Sequence, residues 1–418
     1  MGSNTRAVQE TDRIIRVIFE FAARIGEAQE PDLLLVLNAG LARDLVAADR
    51  CSIWLADPDH GELRTKVAHG VPEIRIPAGR GLVGACIETN ETLLVNDTST
   101  DPRFAGHVDR ESGYVTRSMV VIPLHGSGGK VIGALQALNK PGGFSPDDVN
   151  LLRLAAAYAA SAIETQRLRQ EAEAARLVYR ELEIARSVQQ KLLPEQAPAA
   201  EGLECAAFCR PAKFVGGDYY DFIALPGDSL AFTVGDVSGK GIAAAMLMAS
   251  LQSLLRSEMA RAPVSLANLM NKFNDAVCRS SAPERYSTLF CGQIDRSRKN
   301  LTYVNAGHPG PMLLRSSGTL ERLDAGGMPV GLFDLARYEE GRVDLASGDV
   351  LVCYSDGISE ATNTAGELWE EEEIEHVLRE SARCPASELV EKIVRAADNY
   401  AAGAEQADDM TVVALRIL

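Results

Sequence analysis

The sequence predicts an α+β chain of two globular parts joined by a helical linker. Three observations carry that prediction. At 418 residues the chain is long for one compact core. Its first part, residues 1–165, and its last, residues 199–418, both mix helix-period segments with short β-type runs. Between them, residues 166–198 keep helical spacing, with neither Gly nor Pro before Pro194.

In the first part Ile14, Ile15, Ile18, Phe19, Ala22 and Ile25 recur at helical spacing, and so do Leu33, Leu34, Leu37, Leu41, Leu45 and Val46. β-type runs follow at Cys51–Leu55 and Leu93–Val95. Ser118–Leu124 and Val131–Leu138 flank Gly126-Ser127-Gly128-Gly129, which predicts a hairpin. Ser145 then caps a long helix, with Pro146 at its first position and Asp147 and Asp148 at its electropositive start. Toward the end of that helix a heptad can be read, with Ala175, Leu182 and Gln189 alternating with Val178, Ala185 and Leu192. Such a seam suits a parallel partner, so a homodimer is expected, with Gln189 as the polar residue that sets register. A single helix lying on one of the globular parts is the competing expectation.

The Pro- and Ala-rich stretch 194–202 ends the helix, and the last part, 199–418, closes on the strand Met410–Ile417. Acidic residues outnumber basic ones, 58 to 42, for a formal charge of −16. That balance argues against a nucleic-acid partner, which is normally met by clustered Lys and Arg. No apolar stretch is long enough to span a membrane, and no signal-peptide core opens the chain. The eight cysteines are scattered, and Cys205 with Cys209 has no second Cys or His pair to complete a zinc site. A reduced, cytoplasmic protein is expected.

The chemistry concentrates in the last part, where aspartates recur at strand ends beside glycine. The four instances are Gly216-Gly217-Asp218, Gly235-Asp236-Val237, Ser355-Asp356-Gly357 and Asp408-Asp409 at the head of the final strand. One strand-end Asp is usually only a turn residue. Four in one domain, with glycine letting the backbone close in, point to a hard-oxygen site for Mg²⁺ or Mn²⁺. Two such ions can activate a water toward phosphorus. A phosphate-binding loop over Gly235–Gly241 fails, because only three residues precede the Gly-Lys pair and Gly241 stands where Ser or Thr is required.

In order and spacing these motifs resemble the metal-dependent protein phosphatases, the protein phosphatase 2C superfamily, in its bacterial branch of stage II sporulation and stress-sigma-factor regulators. Pro211-Ala212, Asp218-Tyr219-Tyr220-Asp221, Gly235–Gly241, Asn305-Ala306-Gly307-His308-Pro309, Gly331-Leu332, Tyr354–Gly357 and Asp408–Thr411 carry the likeness. The resemblance implies an α-β-β-α sandwich and a protein serine/threonine phosphatase with two Mn²⁺ or Mg²⁺ ions per site. It implies Asp236 bridging the metals, the Val237 carbonyl as a ligand, and Asp356 with Asp408 completing a shell. Asp218 would hold a water or ligate directly, and Asp409 remains the alternative to Asp408. Asp218, Asp236, Asp356 and Asp408 would thus be catalytic through bound water. The eukaryotic relatives' general-acid His is Ser238 here. Their phosphate-binding Arg is missing, with Lys213 nearest its place. His308 is expected to be structural.

The first part resembles a GAF domain, a small-molecule sensor with a central antiparallel sheet. Gly79–Gly84, Val95-Asn96-Asp97, Ser118–Leu124 and Gly133–Asn139 carry the likeness. Asn139-Lys140, Phe144 and Asp147-Asp148 resemble a motif of cyclic-nucleotide-binding members and also read as a turn with a helix cap. Cys86 is expected in the core. The branch implies a phosphorylated STAS-type anti-sigma-factor antagonist as substrate, and a small-molecule or protein signal at the GAF domain relayed by the segment 181–194. An inactive ligand-responsive scaffold of the same fold is the rival. A GAF-regulated transcription factor is disfavoured by charge and by the lack of a helix-turn-helix pattern.

Overall fold

The computed structural model describes residue 16 and residues 31–68, 73–198, 200–259, 265–280 and 285–418. The first predicted helix, through Ile14, Ile15, Ile18, Phe19, Ala22 and Ile25, lies outside the described residues. The chain forms two compact units, Met1–Arg176 and Leu177–Leu418.

The first unit runs α1 (Pro31–Val46), β1 (Arg50–Asp57), β2 (Glu62–Ala68), β3 (Arg75–Pro77), α2 (Gly81–Thr89), β4 (Leu93–Val95), α3 (His107–Ser112), β5 (Met119–His125) and β6 (Val131–Leu138), then enters α4 (Pro146–Leu192). Its six strands make one antiparallel sheet in the order β3-β2-β1-β6-β5-β4. The predicted hairpin is β5–β6. One face buries Leu35, Ala39 and Leu45 of α1 and Leu152, Ala155 and Ala159 of α4 against Ile53, Val120, Ile122 and Leu135. Small alanines on α4 let the helix lie close to the sheet. On the other face Leu82, Val83 and Cys86 of α2 pack on Trp54, Met119 and Val121, so Cys86 is a core residue as expected.

The start of α4 is a reciprocal cap. The Ser145 amide and hydroxyl donate to Asp148 Oδ2 at 2.8 and 2.9 Å, and the Asp148 amide donates back to Ser145 Oγ at 3.3 Å. Lys140 Nζ joins Asp148 at 2.6 Å, and Asn139 Oδ1 accepts the amides of Arg117 and Ser118 at 2.7 and 3.2 Å. The Asn139-Lys140…Asp148 pattern therefore ties the end of β6 to the edge of β5 and to the helix start.

The second unit has four layers. One sheet runs β14 (Gly326–Gly327), β11 (Asn300–Ala306), β10 (Ser287–Ile294), β9 (Ser229–Val237), β8 (Tyr219–Leu225), with β15 (Gly341–Asp344) also on β11. The other runs β13 (Leu320–Arg322), β12 (Met312–Leu314), β16 (Val350–Tyr354), β17 (Met410–Ile417), β7 (Leu203–Arg210). Between them lie Phe232, Val234, Phe290 and Leu301 from the first sheet and Leu313, Leu351, Val413 and Leu415 from the second. Outside the first sheet, α5 (Ile242–Met259) and α6 (Leu266–Ser280) bury Met248, Leu255, Met270 and Phe273. Beyond a short α7 (Asp356–Ser359), α8 (Glu371–Ser381) and α9 (Ala386–Ala401) cover the second sheet with Ile374, Leu378, Leu389 and Ile393. This is the expected α-β-β-α order.

The linker differs from the heptad reading in one respect. Gln189 Nε2 donates to the Gly216 carbonyl at 2.7 Å, and the Gly216 amide donates to Gln189 Oε1 at 3.1 Å. Tyr179 meets Phe214 edge-on with centroids 4.9 Å apart, and Gln252 Nε2 donates to the Leu192 carbonyl. Leu182, Ala185, Gln189 and Leu192 are accordingly half-buried in the second unit, whereas Leu177, Val178, Ile184 and Val188 are exposed. A heptad counts apolar spacing and cannot say which surface covers it. Among the described residues, no helix is long and apolar enough to cross a membrane.

Candidate metal centre

Each predicted aspartate sits where a strand of the sandwich ends, and all of these ends fall on one side. Asp236 and Val237 close β9, Asp218 precedes β8, Asp356 follows β16 and Asp408-Asp409 precede β17. Two glycines let the ends meet. A side chain at Gly217 would bring its Cβ within 2.6 Å of the Val237 carbonyl oxygen, and one at Gly357 within 2.0 Å of the Asp409 carbonyl oxygen. Backbone that close admits no Cβ.

Electrostatics then bind the carboxylates into one cluster. Asp236 is pushed up to about 7 by burial, followed by the charges of Asp356, Asp408 and Asp409. Asp218 is buried at 3% exposure and raised well above the carboxylate range, first by burial and then by Asp236. Thr411 and Ser355 approach Asp218 and pull the other way, yet neither Oδ1 nor Oδ2 has a partner of good hydrogen-bond geometry. Burial, then Asp408 and Glu360, also raises Asp356. Among the described residues no three His, Cys, Asp or Glu side chains converge as a finished ligand cage.

The two adjacent aspartates do different work. Asp409 Oδ1 accepts the Ala212 amide at 2.7 Å, and Oδ2 accepts those of Gly217 and Asp218 at 2.6 and 3.5 Å. It thereby shapes the loop that carries Asp218. Asp408 instead faces Lys240, with Nζ 2.8 Å from Oδ2. Its segment is braced by Gln406, whose Nε2 donates to the Arg210 and Asp408 carbonyls at 3.0 and 2.8 Å while Oε1 accepts Arg210 Nε at 2.8 Å. Lys213 is exposed on the loop before Gly216. His308 is buried, hydrogen-bonded through Nδ1 to Thr288 at 3.0 Å, and pushed down to about 3 by burial, so it is neutral near pH 7 and structural.

Lys240 and Gln406 were missed in sequence. Gly239-Lys240-Gly241 was visible as part of the Gly235–Gly241 motif, which gives the lysine no role of its own, and Gln406 stands two residues before Asp408 with nothing local to mark it.

The donor set suits a hard divalent cation. It is all oxygen, it holds one carboxylate with both oxygens unpartnered, and neighbouring carboxylate charges help raise Asp218, Asp236 and Asp356. Asp218, Asp236, the Val237 carbonyl, Asp356 and Asp408 are the groups that fit it.

A four-layer sandwich with an acidic cluster at one end of its strands defines a class, and the comparisons agree with it. Residues 226–418 match the stage II sporulation protein E (SpoIIE) family and residues 34–163 match the GAF domain family. The chain thus carries one region similar to GAF domains and one similar to the SpoIIE family. Protein IcfG of Synechocystis sp. is 29% identical over 261 residues, 56% of this chain and 41% of that protein. Phosphoserine phosphatase RsbU of Bacillus subtilis is 30% identical over 214 residues, 51% of this chain and 63% of that protein. This chain therefore spans only 41% and 63% of the length of these relatives. The solved SiaA-PP2C domain of Pseudomonas aeruginosa shares the fold, with a TM-score of 0.52 and 20% identity over 59% of this chain and 99% of that domain.

Proposed function

We propose that residues 199–418 form a metal-dependent protein serine/threonine phosphatase. The observation that carries the reading is that Asp218, Asp236, Asp356 and Asp408 stand at four strand ends, near enough for their charges to act on one another, with both oxygens of buried Asp218 unpartnered. The relative RsbU, named as a phosphoserine phosphatase, supports it. When bound, two Mn²⁺ or Mg²⁺ ions supply Lewis-acid activation of the attacking water and screen charge at the phosphoryl group.

The chain's own residues do the rest. Asp409 and Gln406 hold the loops that present Asp218 and Asp408. The Lys240 ammonium screens Asp408, and that carboxylate raises the pKa of Lys240 in return. Ser238 replaces an imidazole and His308 stays neutral, so the departing serine or threonine oxygen takes its proton from solvent.

The substrate we propose is a phosphorylated STAS-type anti-sigma-factor antagonist, released in a partner-switching pathway. Regulation would start at residues 1–165 as a GAF sensor of a small molecule or protein and travel down the helical linker, 166–198. The Gln189–Gly216 pair, two residues from Asp218, is the contact through which a shift of α4 would reach the carboxylates. The exposed stripe Leu177, Ile184 and Val188 suits a homodimeric coiled coil. A cytoplasmic setting suits a chain whose eight cysteines are all free.

The deciding assay is Mn²⁺-dependent hydrolysis of an aryl phosphate and a phosphoserine peptide by the full chain, beside Asp236→Asn and Asp356→Asn. Turnover that needs the metal and disappears in both variants is expected. A chain inert with Mn²⁺ or Mg²⁺, also after Gln189→Ala releases the linker, would favour the inactive scaffold.

A further inference from the structure

We propose that Arg285 is the phosphate contact of this centre, holding the substrate's phosphoryl oxygens beside the turn 238–241. The inference rests on the phosphatase reading of the aspartate cluster. Strand register brings Arg285 there. In the β9–β10 pair Thr288 faces Asp236 and Ser287 faces Val237. The pairing continues past the strand ends, because the Ser238 amide donates to the Tyr286 carbonyl at 2.8 Å and the Tyr286 amide donates to Ser238 Oγ at 3.0 Å. The next residue, Arg285, thus falls opposite Gly239, three residues from Asp236.

The guanidinium lies against that turn. Nη1 donates to the Ser238 carbonyl at 3.0 Å, and a Cβ at Gly239 would sit 2.3 Å from Nη1 and 3.4 Å from Cζ. Gly239, at φ +88°, leaves the space that the side chain fills. Lys240, on the same turn, is already paired with Asp408. Arg285 is not: it is half-buried and, among the described residues, forms no ion pair and hydrogen-bonds only through Nη1.

Other arginines of this unit have acids, as Arg210 has Asp398, Arg256 has Asp221 and Arg322 has Glu371. A half-buried guanidinium whose Nε and Nη2 have no protein partner among the described residues, set on the turn that follows Asp236, can take a bidentate oxyanion. Lys213, the nearest cation by sequence position, is exposed and lacks such an anchor.

The test compares the full chain with Arg285→Ala, Arg285→Lys and Lys213→Ala at saturating Mn²⁺. KM and kcat for a phosphoserine peptide and calorimetric binding of inorganic phosphate are read there, and calorimetric binding of Mn²⁺ is read on metal-free protein. Arg285→Ala should raise KM and the phosphate Kd by about 10- to 100-fold, as for the loss of charged hydrogen bonds. Mn²⁺ affinity should stay within about twofold, Arg285→Lys should recover part of the loss, and Lys213→Ala should change little.

Unchanged phosphate binding in Arg285→Ala overturns the proposal. So does a loss of Mn²⁺ affinity that fully accounts for the loss of activity, since Arg285 would then only hold the turn. If neither the wild type nor Gln189→Ala hydrolyses anything, the phosphatase reading fails. The contact itself is then judged on phosphate binding alone, standing if wild type binds and Arg285→Ala does not, and falling otherwise.

Discussion

Raising the pH should destabilise the second unit when no metal is present, and Asp236 sets the size of the effect. Below about pH 4 its carboxyl is protonated in both the folded and unfolded chain and contributes nothing. Between about 4 and 7 the unfolded chain releases the proton while the fold retains it, so each pH unit favours unfolding. Above about 7 both states are ionised and the full penalty stands. A move from 3.8 to about 7 is worth about 4 kcal/mol as a ceiling. Solvent access reduces it, and about 2 kcal/mol is expected, or roughly 4–8 °C in Tm for a unit of this size. Asp218, raised in the same direction, adds to it. The chain has two tryptophans, so Trp54→Phe leaves buried Trp369 as a fluorescence reporter of this unit alone. Chelator-treated protein should melt lower at about pH 7.5 than at about pH 5, and Asp236→Asn should flatten much of that slope. Added Mn²⁺ should reverse the order, because the ion binds deprotonated carboxylates. A metal-free Tm that does not fall with pH, or an unchanged slope in Asp236→Asn, would refute the argument that these carboxylates crowd one another.

Four further outcomes follow from local contacts. Arg256→Ala strips a bidentate partner from Asp221, whose side chain is 0% exposed, and should lower the urea unfolding free energy by about 3–5 kcal/mol. Asp221→Asn should cost less, about 1–2 kcal/mol, because the arginine it frees is already 51% exposed. Gln406→Ala removes three hydrogen bonds around the approach to Asp408, and calorimetry should show Mn²⁺ binding about tenfold weaker with little change in the melting of the first unit. Gly217→Ala must displace the Val237 carbonyl, so Mn²⁺ binding should fall by more than about tenfold and stability by about 1–3 kcal/mol, both read on one preparation.

What could be read from the sequence was what a single element encodes. Ser145-Pro146-Asp147-Asp148 marks the start of α4 within four residues, and the Gly-rich turn at 126–129 marks the β5–β6 hairpin, so both were visible. The strand-end aspartates were visible for the same reason, since strand, glycine and acid lie side by side. The different contacts of Asp408 and Asp409 were not, because those of Asp409 are to the amides of Ala212, Gly217 and Asp218, close to 200 residues away in the chain. Gln189 was read as a seam position because apolar spacing says that a face is covered and not by what. Arg285 was silent because its place depends on the β9–β10 register.

The division between the two aspartates also explains why both are acids. A carboxylate at 409 can take three backbone amides on its two oxygens, and an amide side chain there would turn a donor toward one of those N–H groups. Asp409 therefore organises the loop that carries Asp218, and its charge raises Asp236 further. The loop that positions one carboxylate is thus held by a second whose charge makes the cluster harder to ionise. A bound cation relieves that conflict, and in the metal-free chain Lys240, reaching across to Asp408, relieves part of it.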